Sequence, residues 1–367
     1  MDVKVDRSAS AAPCLHEGPL MVSARAAVDA ARRLGVNQQA TAIRSRSVPY
    51  VFDGMERVFA AGLPPAAPLI EMIDRLTDML TNASRDVFGQ RHGDARVDRD
   101  SRSVAEITGE HYGRLFKEFS STSYWDEPVR LLRQRLERNE IAPQNWEGGR
   151  LLDAGCGGGR YTVAWRMLRA GHVVGVDVSE VGVGDARERV RQAGIDGVEF
   201  ETGDVLDLPF DADSFDAVFS NGVLHHTVDW RRGIREVVRV LKPGGFGWLY
   251  LIEKPGGFFW DLIEFLREIM RDDDRSDVRR VLQSSGLPAN RVFYMLDHVM
   301  VPINVRSTPA EVEQALASAG ATIVRRLSRG ADFDRVEALQ RGEPFAADKY
   351  GVGENRYVFS KHVNRYP

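Results

Sequence analysis

The residues with chemistry to offer sit in a few short stretches. LLDAGCGGGRYT, residues 151–162, places Gly155, Gly157, Gly158 and Gly159 around Cys156, directly after Asp153. Glycine inside a strand or helix costs about 0.5–1 kcal/mol against alanine, so this cluster marks backbone that turns sharply or is closely approached. SNGVLHHTV, residues 220–228, sets His225 and His226 side by side. Imidazole is the side chain best able to take a proton near neutral pH. Glu253, Tyr294 and His298 are further groups that can hold or accept a proton. Asp177 follows Asp153 by 24 residues.

The elements needed to position these groups are legible around them. Strands are predicted over 148–155, 172–179, GVEFETGD, 216–222 and 246–253, with helices between them. Short apolar strands alternating with helices mean βαβ units and a parallel, doubly wound sheet. Two closing strands, ATIVRRLS and ENRYVFSKH, bring the count to seven. Several helices carry termini in the sequence. Asp126 and Pro128 suit the start of one, Ser307 and Pro309 the start of another ended by Gly320, and Gly244-Gly245 the end of WRRGIREVVRVL. In such sheets a ligand binds beyond the carboxyl ends of the strands, where strand order reverses. A glycine-rich first turn there suits either a dinucleotide or S-adenosylmethionine (SAM). The dinucleotide pattern GxGxxG fails, because its third glycine falls on Arg160. The spacing present is GxGxG: Gly155, Gly157, Gly159.

DAGCGGGR resembles the first motif of the class I SAM-dependent methyltransferases. VVGVDVS resembles the second-strand motif, GDVLDLPFDADSFDAVFSNGVLHH the adenine-binding stretch and fourth strand, and REVVRVLKPGG the helix and turn before the fifth. The resemblance implies a Rossmann-like α/β fold and SAM as cofactor. It implies cofactor-binding positions at Asp153, Gly155, Cys156, Gly157, Gly159, Asp177, Val178, Asp204, Val205, Asn221, Gly222 and Tyr112. Asp177 would accept both ribose hydroxyls, Asp204 the adenine amino group, and the Val205 backbone a ring nitrogen. Asp207 reads as a surface turn residue, and Cys156 as a small packing residue rather than a nucleophile. Arg160 either reaches the cofactor carboxylate or is a solvated first-turn residue. His226 and Glu253 are the candidate bases, and His225, Tyr294 and His298 the candidate substrate-binding residues. Each has a plainer reading, as a structural histidine, a solvated ion or a helix tip.

Three segments are predicted around that core. Residues 1–20 read as a disordered tail. Residues 21–103 form a helical extension (helices over 22–35 and 67–82) and a linker. Residues 104–367 form the methyltransferase domain, with an aromatic insertion at 254–306 after the fifth strand acting as a substrate lid. The N-terminal helices read either as a packing or homodimerisation element or as a second lid.

Composition narrows the partners. Net charge is −4, and there is no basic stripe, which argues against nucleic acid and membrane surfaces. Six of the 49 basic residues are lysine, a mark of GC-rich bacterial coding. Two cysteines allow no disulfide framework or CxxC metal site. No metal is expected. The first 20 residues lack the apolar core of about 7–15 residues that defines a secretory signal, so a cytoplasmic location is expected. The function expected is methyl transfer to an O, N, S or C atom of a small organic metabolite, in bacterial secondary metabolism. The alternatives are a protein- or RNA-directed methyltransferase and a non-catalytic SAM-binding regulator.

Overall fold

A computed structural model describes residues 19–88 and 121–362. They fall into two compact units, each built from discontinuous segments.

One unit comprises described residues 121–255, 302–343 and 352–362. It holds a seven-stranded sheet: β1 (Arg150–Ala154), β2 (His172–Asp177), β3 (Val198–Thr202), β4 (Phe215–Asn221), β5 (Leu241–Leu251), β6 (Ala321–Arg326) and β7 (Asn355–Lys361). Their order is β3-β2-β1-β4-β5-β7-β6. β1 to β5 are parallel, and β7 runs antiparallel to both β5 and β6. Strand order therefore reverses between β1 and β4, which pair from Leu151↔Ala217 to Asp153↔Phe219. This is the switch point at which such sheets bind ligands.

Alternation along the strands explains how both faces are buried. Leu152, Val174, Val218 and Leu249 point to one face and pack under the helices Trp230–Val240 and Pro309–Ser318. Leu151, Val173, Ala217 and Trp248 point to the other, beneath the helices Ser121–Arg138 and Arg160–Met167. The helix Glu180–Ala193 is capped as its sequence requires: Ser179 Oγ accepts from Gly182 N–H, and Gly194 ends it in the left-handed region.

Three expected helix termini are corrected. The helix expected to begin at Asp126 already includes Ser121, the first described residue of this segment, so Pro128 lies inside it rather than in its first turn. The cap of Pro309–Ser318 is Thr308, not Ser307, because Thr308 forms a reciprocal capping box with Glu311. Ser307 is instead buried and bridges to Glu253. Gly244-Gly245 does not end a helix. Trp230–Val240 runs straight into β5, and the glycines sit at an irregularity in that strand's pairing, with Gly244 at φ +75°.

The described residues of the other unit form helices only: Pro19–Arg33, Gln38–Ala60, Ala66–Phe88, Gly257–Ile269, Arg275–Ser284, Ala289–Val299 and Ala346–Tyr350. The helix expected over 67–82 thus extends to Phe88, into the stretch read as linker. Residues 256–301 of the expected lid, and 344–351 beyond it, group with the N-terminal helices rather than with the sheet. The reason lies in their apolar faces and a buried ion pair. Gly257–Ile269 buries Phe259, Trp260, Leu262, Ile263, Phe265 and Leu266. Arg44 grips Asp273 through two bonds of 2.7 Å, and Thr41 Oγ1 donates to the same carboxylate at 2.6 Å. The Asp273 side chain is fully buried, and Asp274 caps the next helix.

Candidate functional site

The turn after β1 is shaped by its glycines. Gly155, Gly157 and Gly159 have φ of +89°, +53° and +77°, a region that L side chains enter only under strain. Two of them also lack room. A Cβ on Gly155 would meet Val223 at 2.4 Å, and one on Gly159 would meet the Phe200 ring at 2.6 Å. The close approach that the sequence demanded there is made by the chain itself. The N–H groups of Gly155 and Cys156 donate to Val176 O at 2.7 and 2.9 Å, welding the turn to β2.

Asp177, at the end of β2, completes the weld. Its Oδ2 accepts from Gly157 N–H at 2.8 Å and its Oδ1 from Ser179 N–H at 2.9 Å. A carboxylate has about four acceptor positions, so each oxygen keeps one for a ligand hydroxyl. Burial raises the pKa of this carboxyl, while the two N–H bonds hold it down. Asp153 lies behind the turn, 2% exposed, with Thr162 Oγ1 donating to it at 2.7 Å. Burial pushes its carboxyl up to about 7. Burial and both carboxylates raise the Cys156 thiol well above its ordinary value, so it stays protonated and unreactive.

An acid with a raised folded-state pKa keeps its proton in the native chain while the unfolded chain loses it. Stability therefore falls as pH climbs from the ordinary 3.8 to about 7, and is level above that. Asp153→Asn keeps an acceptor for Thr162 and removes the titration. The variant's advantage over wild type is expected to grow across this window, reaching a few kcal/mol at neutral pH, since one pKa unit is worth about 1.4 kcal/mol. Denaturant unfolding of the ligand-free protein at pH 4, 5.5 and 7 measures it. A constant difference would refute the buried titration.

Beyond β3, exposed Asp204 accepts from Leu206 N–H at 2.8 Å, an Asx turn that leaves Val205 buried beneath it. Asp207 is exposed, and Val178 is half-exposed. At the end of β4, Asn221 Oδ1 accepts from Trp248 Nε1 at 3.2 Å, and Gly222 turns the chain at φ +81°. A single helical turn, Leu224–His226, follows. His226 Nδ1 lies 2.8 Å from the Ile303 carbonyl. A carbonyl only accepts, so Nδ1 carries a hydrogen. His225 is buried, edge-on to His226 with ring centroids 4.1 Å apart, and its carbonyl is held by Val305 N–H at 2.8 Å.

The remaining expected site residues lie in other settings. Glu253 is fully buried and paired with Arg335 Nε at 2.9 Å, an ion pair rather than a poised base. Arg335 also reaches the Tyr250 hydroxyl at 3.0 Å. Arg160 donates to Glu127 at 2.6 Å and to the Tyr124 carbonyl at 3.1 Å. Tyr294 and His298 belong to the helical unit, where His298 stacks on Trp260 and its Nδ1 donates to Tyr294 O at 2.8 Å. Tyr112 lies outside the described residues. Sequence reasoning missed Tyr124, Thr162 and Arg335, whose roles depend on contacts that carry no motif.

Asp153, the glycine turn, Asp177, Asp204, Asn221 and His226 thus all gather at the carboxyl edge of β1 to β4, around the switch point. A family model described as a methyltransferase domain matches residues 152–249, the stretch from β1 through most of β5. Over 138 residues the chain is 36% identical to the 27-O-demethylrifamycin SV methyltransferase of Amycolatopsis mediterranei, covering 36% of this chain and 50% of that one. It is 32% identical over 173 residues to methyltransferase GfsG of Streptomyces halstedii, covering 44% and 57%. It is 47% identical over 98 residues to a demethylmenaquinone methyltransferase of Clavibacter sepedonicus, covering 27% and 39%. The chain spans about half the length of these relatives. No described helix is long and apolar enough to cross a membrane.

Proposed function

We propose that this protein is a SAM-dependent methyltransferase acting on a small organic metabolite. The observation that carries the reading is Asp177 beside the glycine turn at the β1/β4 switch point, both oxygens fixed by backbone N–H groups and both retaining acceptor capacity. The donor set fits the cofactor: Asp177 for the ribose diol, Asp204 and the Val205 backbone for adenine, and the turn, Asn221 and Gly222 for the methionine portion. When bound, SAM supplies a methyl group already activated by its sulfonium charge.

The chain's contribution is then orientation and proton handling. Holding donor and acceptor in line can supply about 7–11 kcal/mol of the barrier without any side-chain chemistry. His226 takes the acceptor's proton at Nε2, its Nδ1 being turned to the Ile303 carbonyl. Glu253 instead holds Arg335 and, through it, the Tyr250 hydroxyl. The named relatives include methyltransferases of rifamycin and menaquinone precursors, which supports an acceptor of organic, partly apolar character.

The test is formation of S-adenosylhomocysteine from SAM with a panel of phenolic, quinone and macrolactone acceptors. Turnover with a member of the panel, reduced by about 10²–10⁴-fold in His226→Gln, is the expected result. Equal turnover in the variant would remove His226 from the mechanism. Turnover only with peptide or RNA would replace the acceptor class.

A further inference from the structure

The glycine turn is held from outside as well as from β2. Tyr124, in the helix Ser121–Arg138, is 1% exposed, and its hydroxyl donates to the Gly158 carbonyl at 2.7 Å. The same residue is clasped through its backbone. Pro128, four positions on, has no N–H to give the Tyr124 carbonyl, and Arg160 Nε takes that place at 3.1 Å. Arg160 also binds Glu127 of this helix at 2.6 Å. The Arg189 guanidinium lies over the Tyr124 ring, 4.4 Å from its centroid. Burial raises the phenol's pKa, so the hydroxyl remains a donor.

We propose that Tyr124 is a positioning residue for the cofactor: its hydroxyl fixes the Gly158–Gly159 peptide, so that the turn is already in its ligand-binding shape before the ligand arrives. The proposal rests on the reading that this turn holds SAM. The peptide is pinned at both ends, its carbonyl by Tyr124 and its N–H by the Cys156 carbonyl at 2.9 Å. Three successive glycines, 157–159, have the widest backbone freedom available to a chain. Without the hydroxyl, the cost of ordering them moves onto the binding step.

Tyr124→Phe keeps the ring and removes the donor. S-adenosylhomocysteine (SAH) binding is measured by calorimetry, and amide hydrogen exchange over residues 152–162 by mass spectrometry, both on the full chain. The variant is expected to bind about fivefold more weakly and to exchange faster in that segment alone. Arg189→Met, which keeps the hydroxyl bond, is expected to match wild type in both. Wild-type affinity and wild-type exchange in Tyr124→Phe, with only a lowered unfolding temperature, would reduce Tyr124 to a structural residue and overturn the proposal. An equal loss in Arg189→Met would shift the effect from the hydroxyl to general packing and overturn it too. Wild-type protein that binds no SAH would instead defeat the cofactor reading, and the proposal with it.

Discussion

Asp177→Ala is expected to weaken SAM and SAH binding by about 10²- to 10⁴-fold. The carboxylate would accept two ribose hydroxyls, and each charge-assisted bond is worth about 1.5–3 kcal/mol. Its fixed orientation matters as much as its charge. Gly157 N–H and Ser179 N–H hold one oxygen each, so no rotamer entropy is lost when the ligand binds. The substitution also orphans those two N–H groups, costing about 1–3 kcal/mol of stability. The protein should therefore remain folded but less stable, with β2 and its following helix otherwise intact. Calorimetric titration checks the affinity and circular dichroism the fold. A variant that binds within threefold of wild type would place the diol elsewhere.

Asp334→Asn is expected to produce the largest loss of stability, about 3–5 kcal/mol. Asp334 joins three parts of the sheet unit. Its two oxygens each accept from Arg135 at 2.7 Å, one of them also from Arg356 at 3.0 Å, and Ala331 N–H adds a bond of 2.7 Å. All three side chains are nearly buried, at 3–6% exposure. Neutralising the carboxylate leaves the buried Arg135 guanidinium without its bidentate partner and Arg356 with only Glu354 at 3.7 Å, and that loss of compensating charge sets the size of the effect. The two arginines hold the Asp334 carboxyl well below the usual carboxylate range, despite the opposing effect of burial. A depressed acid stabilises the native chain above its unfolded pKa, and that contribution is lost as pH falls below about 4. Wild type should therefore weaken in acid while Asp334→Asn shows a flatter profile. Urea midpoints from pH 2.5 to 7 test both statements. A cost under about 1 kcal/mol at pH 7 would mean the network is hydrated.

Much of the sheet unit was legible because its signals are local. β1, the glycine turn and the helix after it lie within 20 residues, and each is fixed by period-2 apolarity or by glycine itself. Ser179 and Gly194 mark the ends of their helix without help from tertiary structure. The failures share the opposite cause. Asp126 offered a cap in sequence, but the helix continues five residues upstream of it. Glu253 looked like a strand-end carboxylate free to act, yet its partner Arg335 is 82 positions away. Arg135 and Asp334 are 199 apart, so no window of sequence could show that both are buried. The segment 256–301 was placed with the domain it interrupts, whereas its apolar helix faces and Asp273 are matched to the N-terminal helices.

The most direct test of the central claim is thermal unfolding of the full chain with SAM, SAH, NAD and NADP, each in large excess. A ligand at about 100 times its dissociation constant stabilises a protein by about 2.7 kcal/mol. A rise in the transition with SAM and SAH, and none with NAD or NADP, is the expected result. A rise with NAD or NADP alone would contradict it and turn residues 152–222 into a dinucleotide site.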